Sequence, residues 1–157
     1  MIDELYPCET IKGIFGISLY DNMICKIIFP GFWDEKCSVS RSIPIIDELK
    51  EDLNNYFSGQ IINWTVKYNL YTENASIFRQ KVWSALKEIP YGKTLSYFEL
   101  AQKLNVKCYR AVGSACHYNN IPILIPCHRV VNKNGHLGGF GPGLSWKRFL
   151  LDIEKRN

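Results

Sequence analysis

Residues 121–131 read Ile-Pro-Ile-Leu-Ile-Pro-Cys-His-Arg-Val-Val. Six apolar residues, two of them prolines, lead into a cysteine, a histidine and an arginine, and two valines close the run. The stretch reads as a buried strand, so the fold must place the Cys127 thiol in an apolar wall while its neighbours carry positive charge. Thiolate is the nucleophilic form of cysteine, and nearby cations lower a thiol pKa. A single cysteine in an apolar strand is more often a small core hydrophobe. Whether Cys127 is more than that depends on what the rest of the chain brings to it.

A chain of 157 residues makes one domain or two small ones, and 46% hydrophobic with 22% charged residues is ordinary for a globular protein. No apolar run approaches the roughly 20 residues that span a bilayer, and Met1-Ile2-Asp3-Glu4 lacks a signal peptide's basic start. A cytoplasmic protein with no membrane partner is therefore expected. The six cysteines, at 8, 25, 37, 108, 116 and 127, are irregularly spaced and form no Cys-x-x-Cys pair. A disulfide framework is not expected. Cys108, Cys116 and His117 fit no zinc spacing, so no metal and no cofactor are expected.

The net charge of +4 hides an asymmetry. Residues 1–73 hold 6 basic and 11 acidic side chains, and residues 74–157 hold 13 basic and 4 acidic ones. A basic half joined to an acidic half points to one polyanion-binding domain and one supporting domain.

The pattern along the chain agrees with that division. Residues 11–20 and 23–29 are β-branched and aromatic runs around Asp21-Asn22, which predicts a hairpin. Ile46, Leu49, Leu53 and Tyr56/Phe57 recur at helical spacing, and Gly59 stops that helix. Residues 60–67 read as a further strand. The boundary is expected within 69–75, giving an α+β supporting domain over 1–72 and a mainly helical domain over 73–157. In the second domain Phe78, Val82, Ala85/Leu86 and Ile89 form one stripe. Ser96-Tyr97-Phe98-Glu99 is a capping box that opens a helix reaching Leu104. A second helix is expected from Tyr109 to Tyr118, so the pair resembles a helix-turn-helix. Its small residues Ala111, Gly113, Ser114 and Ala115 allow close approach to another helix or to a nucleic-acid backbone. Residues 133–143 hold five glycines and form a loop. Trp146, Phe149, Leu150 and Ile153 mark a last helix, with Ser145 as its N-cap. A nucleophilic thiol needs a base, and the base an orienting partner; Cys127, His128 and Glu154 supply those residue types.

At this point the chain resembles the O6-alkylguanine-DNA alkyltransferase family. Pro126-Cys127-His128-Arg129-Val130 matches the family's acceptor signature. The likeness also runs through Phe78–Trp83, Ile89–Gly92, Ser96-Tyr97-x-x-Leu-Ala101, Arg110–Gly113, Asn119, Ile121–Val131, Lys147–Leu151 and Glu154. It covers roughly residues 76–155, with the first half similar only in size and general pattern.

The resemblance implies a ribonuclease H-like N-terminal domain and a helix-turn-helix domain that binds double-stranded DNA carrying O6-alkylguanine, acting as a monomer. It implies that the damaged base is flipped from the minor groove and its alkyl group moved irreversibly onto Cys127. His128 would take the thiol proton through a water, and Glu154 would orient His128. Tyr97 would help turn the nucleotide, Arg110 would fill the vacated stack, and Ala111, Gly113 and Ser114 would face the groove. Asn119 would hold the hinge before the cysteine. Val130, Phe140 and Gly141 would line the guanine pocket, and Arg129 would pin backbone near it.

Two departures stand out. Many members have tyrosine where this chain has Phe140, with small residues at Gly141-Pro142. Many also have Asn-Pro where it has Asn119-Asn120. Competing readings are a lesion-binding relative without transfer, which lacks the cysteine present here; a Cys-His hydrolase, whose histidine is usually distant in sequence; and a regulator, which would usually dimerise.

Overall fold

The computed structural model describes residues 4–39, 41–69 and 75–156. The chain divides into two units, Met1–Leu70 and Tyr71–Asn157. The boundary expected at 69–75 falls mostly on residues 70–74, outside the described residues. The fold is mixed α and β, and among the described residues no helix is long and apolar enough to cross a membrane.

The first unit is an antiparallel meander of β1 (Leu5–Thr10), β2 (Gly13–Tyr20) and β3 (Met23–Ile28), followed by α1 (Pro44–Phe57). The expected Asp21-Asn22 hairpin is present; both residues have positive φ, 49° and 56°, which suits the right-handed twist of the flanking strands. The run expected from residue 11 is instead split by a turn at Ile11-Lys12, so β1 pairs with β2. Strand β1 was not expected from the sequence. In central β2 four consecutive residues, Phe15 to Ser18, are buried. Gly16 is required there, since a Cβ would lie 2.8 Å from the Trp33 ring. The stripe Ile46, Leu49, Leu53 and Phe57 faces inward from α1, and Phe57 stacks on Phe15 at 5.7 Å. Gly59, at φ 92°, ends that helix. Its amide donates to Tyr56 O at 2.9 Å, and the Gln60 amide to Asn55 O at 3.0 Å, the bonding pattern of a Schellman cap.

The strand expected at 60–67 does not form. Ile62, Trp64 and Val66 alternate with more exposed neighbours, so the period-2 signal is real. The end of the segment meets β3 at Ile24, which donates to Lys67 O and accepts from Asn69 N. Burial alternation without a second ladder leaves an extended segment rather than a strand.

The second unit holds α2 (Ile77–Lys87), β4 (Leu95–Ser96), α3 (Tyr97–Lys103), α4 (Tyr109–His117), β5 (Val130–Val131) and α5 (Leu144–Glu154). Ser76 caps α2 by accepting from the Arg79 amide. Buried Trp83 donates to Ala115 O at 2.8 Å, which locks α2 to α4. The expected capping box is complete: Ser96 Oγ accepts from Glu99 N, and Glu99 Oε2 accepts from Ser96 N. Helix α5 begins after Gly143 (φ 102°), not after Ser145 as expected. Glycine takes that backbone conformation without strain. Strands β4 and β5 pair in parallel, Leu95 with Val130 and Ser96 with Val131. This short ladder ties the start of α3 to the residues just beyond Cys127.

Candidate active site

Residues 121–130 are all buried, as their composition demands, but residues 121–129 do not form a strand, and regular pairing begins only at Val130 in β5. Ile123 sits at φ 77°, a region costly for a β-branched residue. Pro122 and Ile125 form a lone bridge, and Cys127–Arg129 is a single 3-10 turn. Two prolines with a left-handed residue between them bend the run, so apolar composition reported burial correctly and conformation wrongly.

Asn119 holds this bend. Its Oδ1 accepts from Ile121 N at 3.1 Å, and its Nδ2 donates to Ile125 O at 2.9 Å and to Cys127 Sγ at 3.1 Å. One side chain thus satisfies backbone that a strand ladder would otherwise satisfy, and it orients the sulfur as well.

Behind the thiol lies a buried ionic cluster. His128 Nε2 donates to Glu154 Oε1 at 2.8 Å, with both side chains almost fully buried. Arg129 Nε donates to both Glu154 oxygens at 2.9 and 3.2 Å, and its Nη2 to Oε1 at 3.0 Å. The remaining arm, Nη1, reaches Ile89 O at 2.7 Å. Gly92 N adds a bond to Glu154 Oε2 at 3.1 Å. Gly92 has φ 73°, and a Cβ there would lie 2.8 Å from Glu154 O, so only glycine fits this approach. Arg129 therefore does more than pin backbone, because it is the carboxylate's counterion.

Each charge state follows from this packing. Burial pushes the Glu154 carboxyl up, but hydrogen bonds from His128 and Arg129 outweigh it and hold it at about 2. Burial lowers His128 against the pull of Glu154, with Arg129 and Lys147 adding to the lowering. The imidazole is therefore neutral at pH 7. Burial also raises the Cys127 thiol; Asn119 and Lys147 work against that rise without cancelling it. The expectation that neighbouring cations leave Cys127 acidic is thus corrected. His128 is uncharged, and the charge of Arg129 is taken by Glu154. At rest the arrangement is a thiol beside a neutral base, which can form thiolate by passing the proton to that base.

Lys147 is the residue that sequence reasoning missed. It is fully buried, and its Nζ donates to Val130 O at 2.6 Å and Gly139 O at 3.0 Å. Burial lowers it to about 8, with Cys127 and Cys116 pulling it back up. A signal was available, because Lys147 lies seven residues before Glu154, two turns along one helix face, with Leu150 and Leu151 between them.

The thiol opens into a cavity of about 1030 Å³ whose walls include Tyr97, Arg110, Gly113, Asn119, Phe140 and Gly141. Cys116 also lines it, a cysteine with no role expected from the sequence. Phe140 meets His128 edge-on at 6.5 Å between centroids. Burial raises the Tyr97 hydroxyl to about 12, so it stays protonated. Ala111 and Ser114 lie on α4 outside those walls, and Val130 is fully buried with its carbonyl held by Lys147. Among the described residues no group of three or more His, Cys, Asp or Glu is placed to hold a metal.

Comparisons with known proteins converge on one family. Residues 77–156 match the family model of the 6-O-methylguanine DNA methyltransferase DNA-binding domain. The methylated-DNA–protein-cysteine methyltransferase of Methanosarcina mazei is 41% identical over 142 residues, covering 90% of this chain and 83% of that protein. A probable methylated-DNA–protein-cysteine methyltransferase of Acanthamoeba polyphaga mimivirus is 42% identical, covering 95% of each. The crystal structure of Mycobacterium tuberculosis OGT in complex with DNA superposes with a TM-score of 0.82 at 31% identity, over 98% of this chain and 93% of that one. With matching this extensive around a cysteine that accepts from Asn119 and directly precedes the buried, Glu154-paired His128, the chain belongs to the methylated-DNA–protein-cysteine methyltransferase family.

Proposed function

We propose that this protein repairs DNA by moving the alkyl group of O6-alkylguanine onto Cys127, once per molecule. The observation that carries the reading is the Asn119–Cys127 contact in the same unit as the buried His128–Glu154 pair, with the thiol at the wall of a cavity large enough for a base. The thiol proton passes to His128, through a water, at the ring nitrogen that Glu154 does not engage. The thiolate attacks the alkyl carbon, the carbon–O6 bond breaks, and guanine leaves with the bonding pair and takes up a proton. A thioether remains on Cys127, and no group in the cavity reverses it. Lys147 is the cation that offsets the developing thiolate charge.

In this reading α3 and α4 are a helix-turn-helix, and α4 lies in the minor groove through its small face at Ala111, Gly113 and Ser114. Arg110, exposed on α4, enters the stack vacated by the flipped base, a known minor-groove strategy. Minor-groove readout is sequence-poor, which suits damage at any site. Tyr97, Phe140 and Gly141 enclose the base beside Val130. Residues 1–72 act as a ribonuclease H-like support, and the protein works as a cytoplasmic monomer on double-stranded DNA without a cofactor.

The test is incubation with duplex DNA carrying labelled O6-methylguanine. Label should move to Cys127 with a stoichiometry of one and then stop. Continued turnover, or binding without label on the protein, refutes the reading.

A further inference from the structure

The cavity wall carries a second thiol that transfer to Cys127 leaves unused. Cys116 and Cys127 are both free, and both line the cavity. Little of either is exposed, 9% and 6%, so each is reached from the cavity. One residue touches both. The Asn119 amide donates to Cys116 O at 3.2 Å, and Asn119 Nδ2 donates to Cys127 Sγ at 3.1 Å. Cys116 stands one turn beyond Gly113 on the same face of α4. Gly113 lines the cavity as well and adds no side chain there.

The two thiols share one cation. Lys147 works against the rise of both, and both pull Lys147 back up. They also oppose each other, since burial pushes Cys116 to about 12 and the neighbouring Cys127 adds to the rise. Two thiolates in one poorly solvated wall are not formed together. Cys127 has the Asn119 bond and the neutral His128 beside it, so it ionises first. Once alkylated it is an uncharged thioether. Its opposition to Cys116 then ends, while the help of Lys147 remains. The first transfer therefore frees the second thiol.

A methyl group has one reactive carbon and no use for a second thiol. An ethyl group with a leaving group on its far carbon has two reactive carbons. Left on Cys127, such a group is itself an alkylating agent beside the DNA it came from. We propose that Cys116 is a second nucleophile, which attacks the far carbon of a haloethyl group already moved to Cys127 and closes an ethylene bridge between the two sulfurs. This rests on the alkyl-transfer reading for the first step. In the second step the Cys116 sulfur–carbon bond forms and the carbon–halogen bond breaks. Halide leaves with the bonding pair, and the Cys116 proton passes to water. Nothing is oxidised or reduced. The product is a stapled protein that can no longer alkylate DNA.

The experiment uses the full chain as wild type, Cys116→Ala and Cys116→Ser, with ethylene dibromide as the probe. This reagent sets a bromoethyl group on Cys127 without guanine, so it reads the second step by itself. Labelling by free O6-benzylguanine, run beside it, reports the first transfer and shows that each variant is folded. Peptide mapping of treated wild type should find the Cys116 and Cys127 peptides joined, heavier than the free pair by two carbons and two hydrogens. Unmodified duplex is then added to each treated protein. The variants should crosslink severalfold more DNA on a denaturing gel, because their bromoethyl thioether persists. Exposed Cys108 reacts in every protein alike and cancels in the comparison. The proposal is overturned if wild type yields no joined pair, or if the variants crosslink no more DNA than wild type. A joined pair in a wild type that takes no label from O6-benzylguanine would sink the alkyl-transfer reading instead, with the paired thiols upheld.

Discussion

Replacing Glu154 with Gln keeps the shape of the side chain and removes its charge. In the native cluster that carboxylate accepts from His128, Gly92 and two nitrogens of Arg129. Its pKa moves from an ordinary 4.5 to about 2, and at about 1.4 kcal/mol per pKa unit this is roughly 3 kcal/mol of stabilisation at neutral pH. A second route gives a similar size, since breaking a buried pair and stranding its partner costs about 3–5 kcal/mol. The sign follows from the folded pKa lying below the unfolded one. The stabilisation is complete above the unfolded value and is lost as pH falls from about 4.5 toward about 2, with roughly 2 kcal/mol gone by about pH 3. Urea unfolding of wild type and Glu154→Gln at neutral pH and near pH 3 measures both parts. The gap between the two proteins should be about 3 kcal/mol at neutral pH and should narrow in acid. A gap below about 1 kcal/mol, or one that ignores pH, refutes the assignment of Glu154 as the ionised centre of the cluster.

Three further outcomes are expected. Lys147→Met removes the buried ammonium that works against the rise of the Cys127 thiol, so labelling by free O6-benzylguanine should slow at neutral pH and recover as pH rises; a rate equal to wild type at neutral pH counts against the cation role. Asn119→Ala strips three hydrogen bonds from the bend before Cys127 and should cost about 1–3 kcal/mol in urea unfolding; an unchanged midpoint would mean that the bend holds itself. Arg110→Ala should slow repair of duplex lesions far more than reaction with free O6-benzylguanine, and equal losses in paired rate measurements would remove Arg110 from base flipping.

Much of the site was legible in the chain because it is local. Cys127, His128 and Arg129 are consecutive, Ser96 and Glu99 are one turn apart, and the Asp21-Asn22 turn and the Gly59 stop depend on nearest neighbours. What could not be read involved partners distant in sequence. Strand β1 is not legible because it is short and holds Pro7, a residue that argues against a strand, although Tyr6 and Cys8 alternate inward; its identity as a strand comes from pairing with β2. The extended 60–67 segment carried a correct alternation but, among the described residues, meets β3 at Ile24 and builds no ladder.

The apolar run around Cys127 shows the division most clearly. Its composition alone required burial, and the adjacent histidine and arginine alone announced reactivity. The direction in which the thiol titrates was decided only by the fold. Glu154, 27 positions further on, neutralises Arg129; Lys147 comes in from the same helix; and burial raises the thiol that its neighbours seemed set to acidify. Hydrophobicity is a property of each residue and is carried along the chain. Desolvation and Coulomb interaction depend on distances in space, and those exist only once α5 has packed behind the turn.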